Sequence, residues 1–242
     1  MGRVHLRAGL VAAVLALTVA PAAAQGAVRQ TASADFTSEA VSEPTGLDLA
    51  IDYLPGGPDA DSKPWAVKKV VTRLPEGTRI DSAAVPRCTA SDLILMLRGP
   101  SACPAGSVIG GGRLSVDTGI LDLDVGEPGP LRNIVFDVSL LNNTGQQIFV
   151  LRPISPVSLP TPFIVTRATV TGRTITSTVP PIPGLPPPDA FTAIKRVRLA
   201  INHRDSDYLT TPDTCSGTWT SKLAFTYSDG ITQHVSSTDS CV

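Results

Sequence analysis

After position 24 the sequence holds two histidines, His203 and His234. An imidazole base works with a nucleophile and usually an orienting carboxylate. Asp205 follows His203 closely and serines are plentiful, but no spacing joins them into a triad. Neither Gly-x-Ser-x-Gly nor His-Glu-x-x-His occurs. Asp122 and Asp124 would leave one face of a strand about 7 Å apart, a geometry that paired carboxylates could use on a glycosidic bond. No aromatic-rich acidic segment accompanies them, so outward acids that aid solubility are the better reading. Asp205, Asp207, Asp213 and Asp229 gather near the last hairpin and offer hard oxygens for Ca²⁺, without an EF-hand or repeat loop to converge them. No metal site is assigned.

No cofactor is assigned either. Gly110-Gly111-Gly112 is not followed by Gly-Lys-Ser/Thr and does not open a helix in the alternating pattern that cradles a phosphate. It runs into Arg113-Leu114-Ser115-Val116, so a bulged or kinked strand is expected. Trp65, in the turn segment Lys63-Pro64-Trp65, is the candidate glycan contact. Trp219, Phe225 and Tyr227 are better read as core, because they alternate strictly with Thr220, Ala224 and Thr226. Asn142-Asn143-Thr144 matches a glycosylation acceptor but reads as a turn. On this inventory the chain is expected not to be an enzyme.

The cysteines carry a firmer signal. Cys88, Cys103, Cys215 and Cys241 can all pair, and four cysteines allow three connectivities. The sequence-local choice is Cys88–Cys103 with Cys215–Cys241; the close C-x2-C spacing of a zinc site is absent. Disulfides imply an oxidising compartment. Met1–Arg7 carries Arg3 and Arg7, Ala8–Ala20 is almost wholly apolar, and Ala22-Ala23-Ala24 suits a signal peptidase. Residues 1–24 are therefore expected to be a signal peptide cut before Gln25. The apolar run of 13 residues from Ala8 to Ala20 falls short of the roughly 20 that span a bilayer, and no transmembrane segment is expected after cleavage.

Losing Arg3 and Arg7 takes Lys+Arg from 20 to 18 against 21 Asp+Glu. A weakly acidic chain without a basic stripe is a poor nucleic-acid binder, because phosphate contacts dominate that affinity. The densest basic cluster, Lys195, Arg196, Arg198 and Arg204, reads as a solvated sheet face.

The elements that would position these residues are strands. Twenty Gly and 22 Pro among 242 residues, with only 17% charged residues, argue against a helical bundle. Residues 25–45 read as an extended leader or first edge strand. Alternation or short apolar runs then mark strands at Leu47–Tyr53, Val67–Leu74, Ser107–Val116, Ile120–Val125, Asn133–Leu141, Gln146–Leu151, Phe163–Val170, Thr174–Val179, Lys195–Ile201, Trp219–Tyr227 and Ile231–Val235. Thr89 with Asp92 would cap one short helix through Leu97, stopped at Gly99-Pro100. That helix lies between Cys88 and Cys103, which would staple it to the sheet edge. The turn Asn142–Gly145 joins two strands. The Pro-rich run 179–188 is expected to be a rigid crossover inside one domain, with an interdomain linker as the alternative and a recognition peptide last. The connections leave little room for helical crossovers, so pairing should be largely antiparallel.

The fold class expected is all-β, an antiparallel β-sandwich with Greek-key-like connections and one short helix. The organisation expected is a signal peptide at 1–24, an extended N-terminal leader at 25–46 and a single β-sandwich domain at 47–242. The segments Lys69–Gly77, Ala84–Thr89 and Ala102–Gly110, with Thr214–Trp219, Tyr227–Gly230 and Cys241, resemble an uncharacterised family of secreted actinobacterial all-β proteins with two local disulfides. That resemblance covers most of residues 47–242. It implies a signal peptide, the two bridges and an all-β body, and transfers no activity. The function expected is that of an exported non-enzymatic protein, secreted or cell-envelope associated, acting by surface contact with a protein or a cell-envelope glycan. A carbohydrate-binding module is the first alternative, and a secreted hydrolase with a non-local active site the second.

Overall fold

The computed structural model describes residues 27–120, 130–155, 162–202 and 206–242. The expected signal peptide, Asp122 and Asp124 with nearly all of the strand at 120–125, and the group His203, Arg204 and Asp205 lie outside them. The strands are β1 (Gln30–Phe36), β2 (Leu47–Tyr53), β3 (Val67–Arg73) and β4 (Arg79–Ile80), then, after the helix α1 (Asp92–Arg98), β5 (Val108–Asp117), β6 (Ile134–Asn143) and β7 (Gln146–Ser155). They continue with β8 (Ile164–Thr171), β9 (Thr174–Thr178), β10 (Ala193–Ile201), β11 (Leu209–Thr210), β12 (Thr218–Tyr227) and β13 (Thr232–Ser240). The all-β expectation holds, with α1 as the one α-helix among the described residues. Of the two readings for residues 25–45, Gln30–Phe36 is the edge strand, paired along its length with β2. The short pair β4–β11 left no legible signal: two residues per strand are too few for periodicity.

The sandwich with Greek-key connections is corrected. Eleven strands form one sheet in the order β1-β2-β10-β5-β6-β7-β8-β9-β3-β12-β13, each neighbouring pair antiparallel. This sheet rolls into a near-closed barrel in which β13 comes alongside β1. Side chains on β13 seal the seam where a backbone ladder would close a full barrel. Ser237 Oγ accepts from Ala34 N at 3.0 Å, Asp239 accepts from Phe36 N at 2.7 Å, and Gln233 accepts from Arg29 N at 3.0 Å. Edge amides that could template another strand are thereby occupied.

Inside, the alternating residues of opposed strands meet. Phe36 packs edge-on against Trp219 with ring centroids 5.5 Å apart, and Tyr53 against Phe225 at 6.0 Å. Leu47, Ile51, Val197, Leu223 and Tyr227 fill the same core. The aromatic row expected to be core is therefore core. Gly110 and Gly112 lie within β5, not in a phosphate loop. A Cβ at either would come 2.0 Å from a carbonyl oxygen of β10, of Ala200 and Arg198 respectively, so close strand approach explains these glycines.

The seam sets up one pH effect. Burial pushes the Asp239 carboxyl above its ordinary value, helped by the nearby charges of Asp35 and Glu39 and opposed by the Phe36 amide. A carboxyl whose folded value is raised favours the fold when protonated, and that contribution is lost as pH rises through the folded value. Asp239→Asn keeps an oxygen for Phe36 N and removes the charge. It should raise the urea midpoint at pH 7, with the difference shrinking at pH 3.

The helix sits where Cys88 and Cys103 bracket it, with a different cap and a different seat from those expected. Ser91, not Thr89, is the N-cap, accepting from Ile94 N at 3.4 Å. Gly99, at φ 61°, ends the helix and rests against the Phe163 ring. The segment covers the outer face of mid-sheet strands, where Leu95 meets Leu141, Ile148 and Val150 beside Cys88, and not a sheet edge. The Asn142–Gly145 turn is shorter than expected, because Asn142 and Asn143 still pair with Gln147 and Gln146. Asn142 is fully buried and its Nδ2 donates to the carbonyls of Ser82, Val85 and Pro86 at 3.0–3.1 Å, so the folded chain does not offer it to a glycan.

The Pro-rich run connects β9 to β10, which belong to the same sheet. It is pinned just after the prolines. Lys63, almost fully buried, donates through Nζ to the Asp189 carbonyl at 2.8 Å, to the Asp189 carboxylate at 3.3 Å and to the Phe191 carbonyl. Asp189 also accepts from Ala66 N, Phe191 N and Ser228 Oγ.

Candidate functional site

A cleft of about 390 Å³ opens where the end of β3, the β8–β9 turn and the start of β12 meet. Its walls carry Arg73, Arg173, Lys222, Glu76, Ser216 and Trp219 among others. Strand alternation puts Arg73 outside because its neighbour Thr72 is inside, opposite Leu223. Lys222 faces outward on β12 for the same reason. The register sets these two cations directly opposite each other, while Thr174 flanks Arg73 on the other side. Arg173 is held over the cleft by its own bond from Nη1 to the Leu74 carbonyl at 2.9 Å, and Leu74 N returns a bond to the Arg173 carbonyl at 3.1 Å. The far wall is fastened by the Cys215–Cys241 bridge and by Trp219, whose indole N–H donates to the Thr214 carbonyl at 2.9 Å.

Like charges opposite each other on neighbouring strands destabilise a sheet. At two other places on the outer surface a pair of cations shares one acid. Arg196 and Arg198 share one face, as expected, and both bind Asp52, at 2.9 and 2.6 Å. Burial pushes the Asp52 carboxyl up, and these two guanidinium groups more than offset that and hold it below the ordinary carboxylate range. Arg113 and Arg152 share Asp137 in the same way. Arg73 and Lys222 make no ion pair among the described residues. Beside them the sheet shows hydroxyls: Thr174, Thr176 and Thr178 on β9, Thr218 and Thr220 on β12, and Thr238 on β13. Glu76 is the single carboxylate among the residues lining the cleft.

This site was missed in the sequence because Arg73 and Lys222 are far apart along the chain and only the β3–β12 register joins them. The residues singled out beforehand are scattered. Trp65 is half-buried against the core, and the Arg29 guanidinium lies over its ring, 4.6 Å from the centroid. His234 is exposed on β13. Asp229 is bound by Arg29 at 2.8 Å and accepts from Ile231 N in its turn, so it serves a hairpin. Asp207 and Asp213 are exposed. No three His, Cys, Asp or Glu residues converge among the described residues. The cysteines pair as Cys88–Cys103 and Cys215–Cys241, the sequence-local connectivity. No protein-family model, curated protein or solved structure matches this chain, which leaves the fold and its surface chemistry as the ground for a function.

Proposed function

We propose that this chain is an exported, non-enzymatic binding protein that attaches to an acidic glycan of the cell envelope through the Arg73–Arg173–Lys222 cleft. The observation that carries the reading is the opposed pair Arg73 and Lys222, a like-charge contact that forms no ion pair among the described residues although Glu76 lines the same cleft, joined by Arg173 at a concave, hydroxyl-lined surface. Arginine forks hold carboxylate and phosphate oxygens in bidentate fashion, and lysine adds a point charge. Threonine and serine hydroxyls suit the neutral oxygens of a sugar chain. The apolar run before Ala24 and two disulfides support export. Hydrolysis by two carboxylates would need a second acid facing Glu76, and none lines the cleft among the described residues. Trp65 supports a sugar platform poorly, because Arg29 covers its ring.

Titration calorimetry with a polyuronate and with a neutral glucan tests this. The purified chain should bind the polyuronate, more weakly as salt rises, and leave the glucan unbound. Arg73→Ser with Lys222→Ser should weaken that binding about tenfold or more, while the unfolding midpoint stays level or rises as the like-charge contact is removed. Equal binding of both polymers, or binding indifferent to the two substitutions, overturns the reading.

A further inference from the structure

The surface of α1 is inverted relative to an ordinary surface helix. At about 100° per residue, Leu95 points to the barrel, Leu93 and Leu97 point directly away from it, and Ile94 and Met96 flank them. Leu93 is 65% exposed, Leu97 67%, and Ile94 and Met96 40% each. The charged ends, Asp92 and Arg98, lie about 60° either side of Leu95 by the same spacing, at the base of the helix and not at its crown. Arg167 ties Asp92 to β8 at 2.6 Å, Met96 O accepts from Phe163 N at 3.0 Å, and Cys88–Cys103 closes the segment. The apolar crown is therefore held on a fixed base, with Ile164 of β8 adding a further partly exposed aliphatic.

We infer that this crown inserts into the surface of an anionic phospholipid bilayer. Its four side chains expose about as much area as two fully exposed aliphatic residues, on the order of 400 Å². A stable protein interface takes roughly 800 Å² from each partner, so a second copy or a flat protein partner is a poor fit, whereas a lipid interface accepts a small wedge. The charges agree. Residues 87–107 carry Arg87, Asp92 and Arg98, and Asp92 is bound by Arg167, so the helix segment with its β8 partner has an excess of positive charge. That positive excess complements acidic headgroups while the leucines enter the acyl boundary. The crown is distinct from the glycan cleft, and its fate does not depend on that reading.

Flotation of the purified chain with vesicles of phosphatidylglycerol and phosphatidylcholine, and with phosphatidylcholine alone, provides the test, together with sedimentation velocity for the oligomeric state. The expected result is a monomer that floats with the anionic vesicles and less with the neutral ones. Leu93→Ser with Leu97→Ser should reduce the partition at least about tenfold with an unchanged thermal unfolding curve, and Arg98→Glu should reduce binding to the anionic vesicles. Arg73→Ser with Lys222→Ser leaves the crown intact and should preserve flotation. The inference is overturned by absence of flotation, by flotation indifferent to the two leucine substitutions, or by a dimer that those substitutions dissociate.

Discussion

Lys63→Met should lower the unfolding free energy by about 3–5 kcal/mol, the range for breaking a buried ion pair by removing one partner. The lower end is expected, because Asp189 keeps its bonds from Ser228, Ala66 and Phe191 and retains 10% side-chain exposure. The loss has two sources. The Asp189 and Phe191 carbonyls lose a buried donor, and the carboxylate loses its nearest cation. The consequence is local as well as global: residues just after the proline run would no longer be pinned to the Lys63 turn, and their amides should exchange faster with deuterium. Burial pushes the Asp189 carboxyl up, but the donors from Ser228, Ala66, Phe191 and Lys63 prevail and hold it below the ordinary carboxylate range. A depressed carboxyl stabilises the fold above its unfolded value near 3.9, and that contribution is lost as pH falls through the folded value. The gap between the native chain and Lys63→Met should therefore narrow in strong acid. It should not close, since Lys63 also serves two neutral carbonyls. Urea titrations at pH 7 and pH 2.5, with exchange mass spectrometry, read both effects; an unchanged midpoint at pH 7 would mean the buried ammonium contributes nothing net.

Removing the second bridge should cost about as much. Cys215→Ala with Cys241→Ala opens a loop of 26 residues, worth about 3.5 kcal/mol by loop-closure entropy. Cys241 is buried in the main core, and Cys215 packs against it. The bridge holds the start of β12 to the tail beyond β13, next to the seam, where Val242 N donates to the Glu39 carbonyl at 2.8 Å. It also forms a wall of the cationic cleft. The double variant should therefore unfold at lower urea and, still folded at low temperature, hold the polyuronate less tightly. A stability loss without any change in binding would place the bridge outside the working surface.

The strand positions were legible because alternation is a local property. Leu47, Leu49, Ile51 and Tyr53 announce one face of β2 without reference to any partner, and Trp219 to Tyr227 do the same for β12. The edge strand β1 was fainter, since its segment has few large apolar residues apart from Phe36. The Thr89 cap failed against Ser91 because both can accept from a first-turn amide, and about two turns of helix offer too few residues to decide. Trp65 drew notice for its turn context, but turn residues do not say which cation lies over a ring. Arg29, on the far side of the sequence from Tyr227, covers Trp65 and also stands 5.0 Å from the Tyr227 ring.

Composition, alternation and cysteine spacing were enough to point to an all-β chain with two short-range bridges, while the part played by the proline run stayed open. Strands and bridges alike rest on interactions between near neighbours: a two-residue side-chain period and a short loop to close. Which strands adjoin was decided only in three dimensions. β10 enters between β2 and β5, and β3 between β9 and β12, because burying one face of every strand constrains orientation but not partner. Both proposed surfaces are products of that choice. The opposition of Arg73 and Lys222 exists only in the β3–β12 register, and the apolar crown of α1 faces outward only because Leu95 found its pocket on the outer face of β6 and β7.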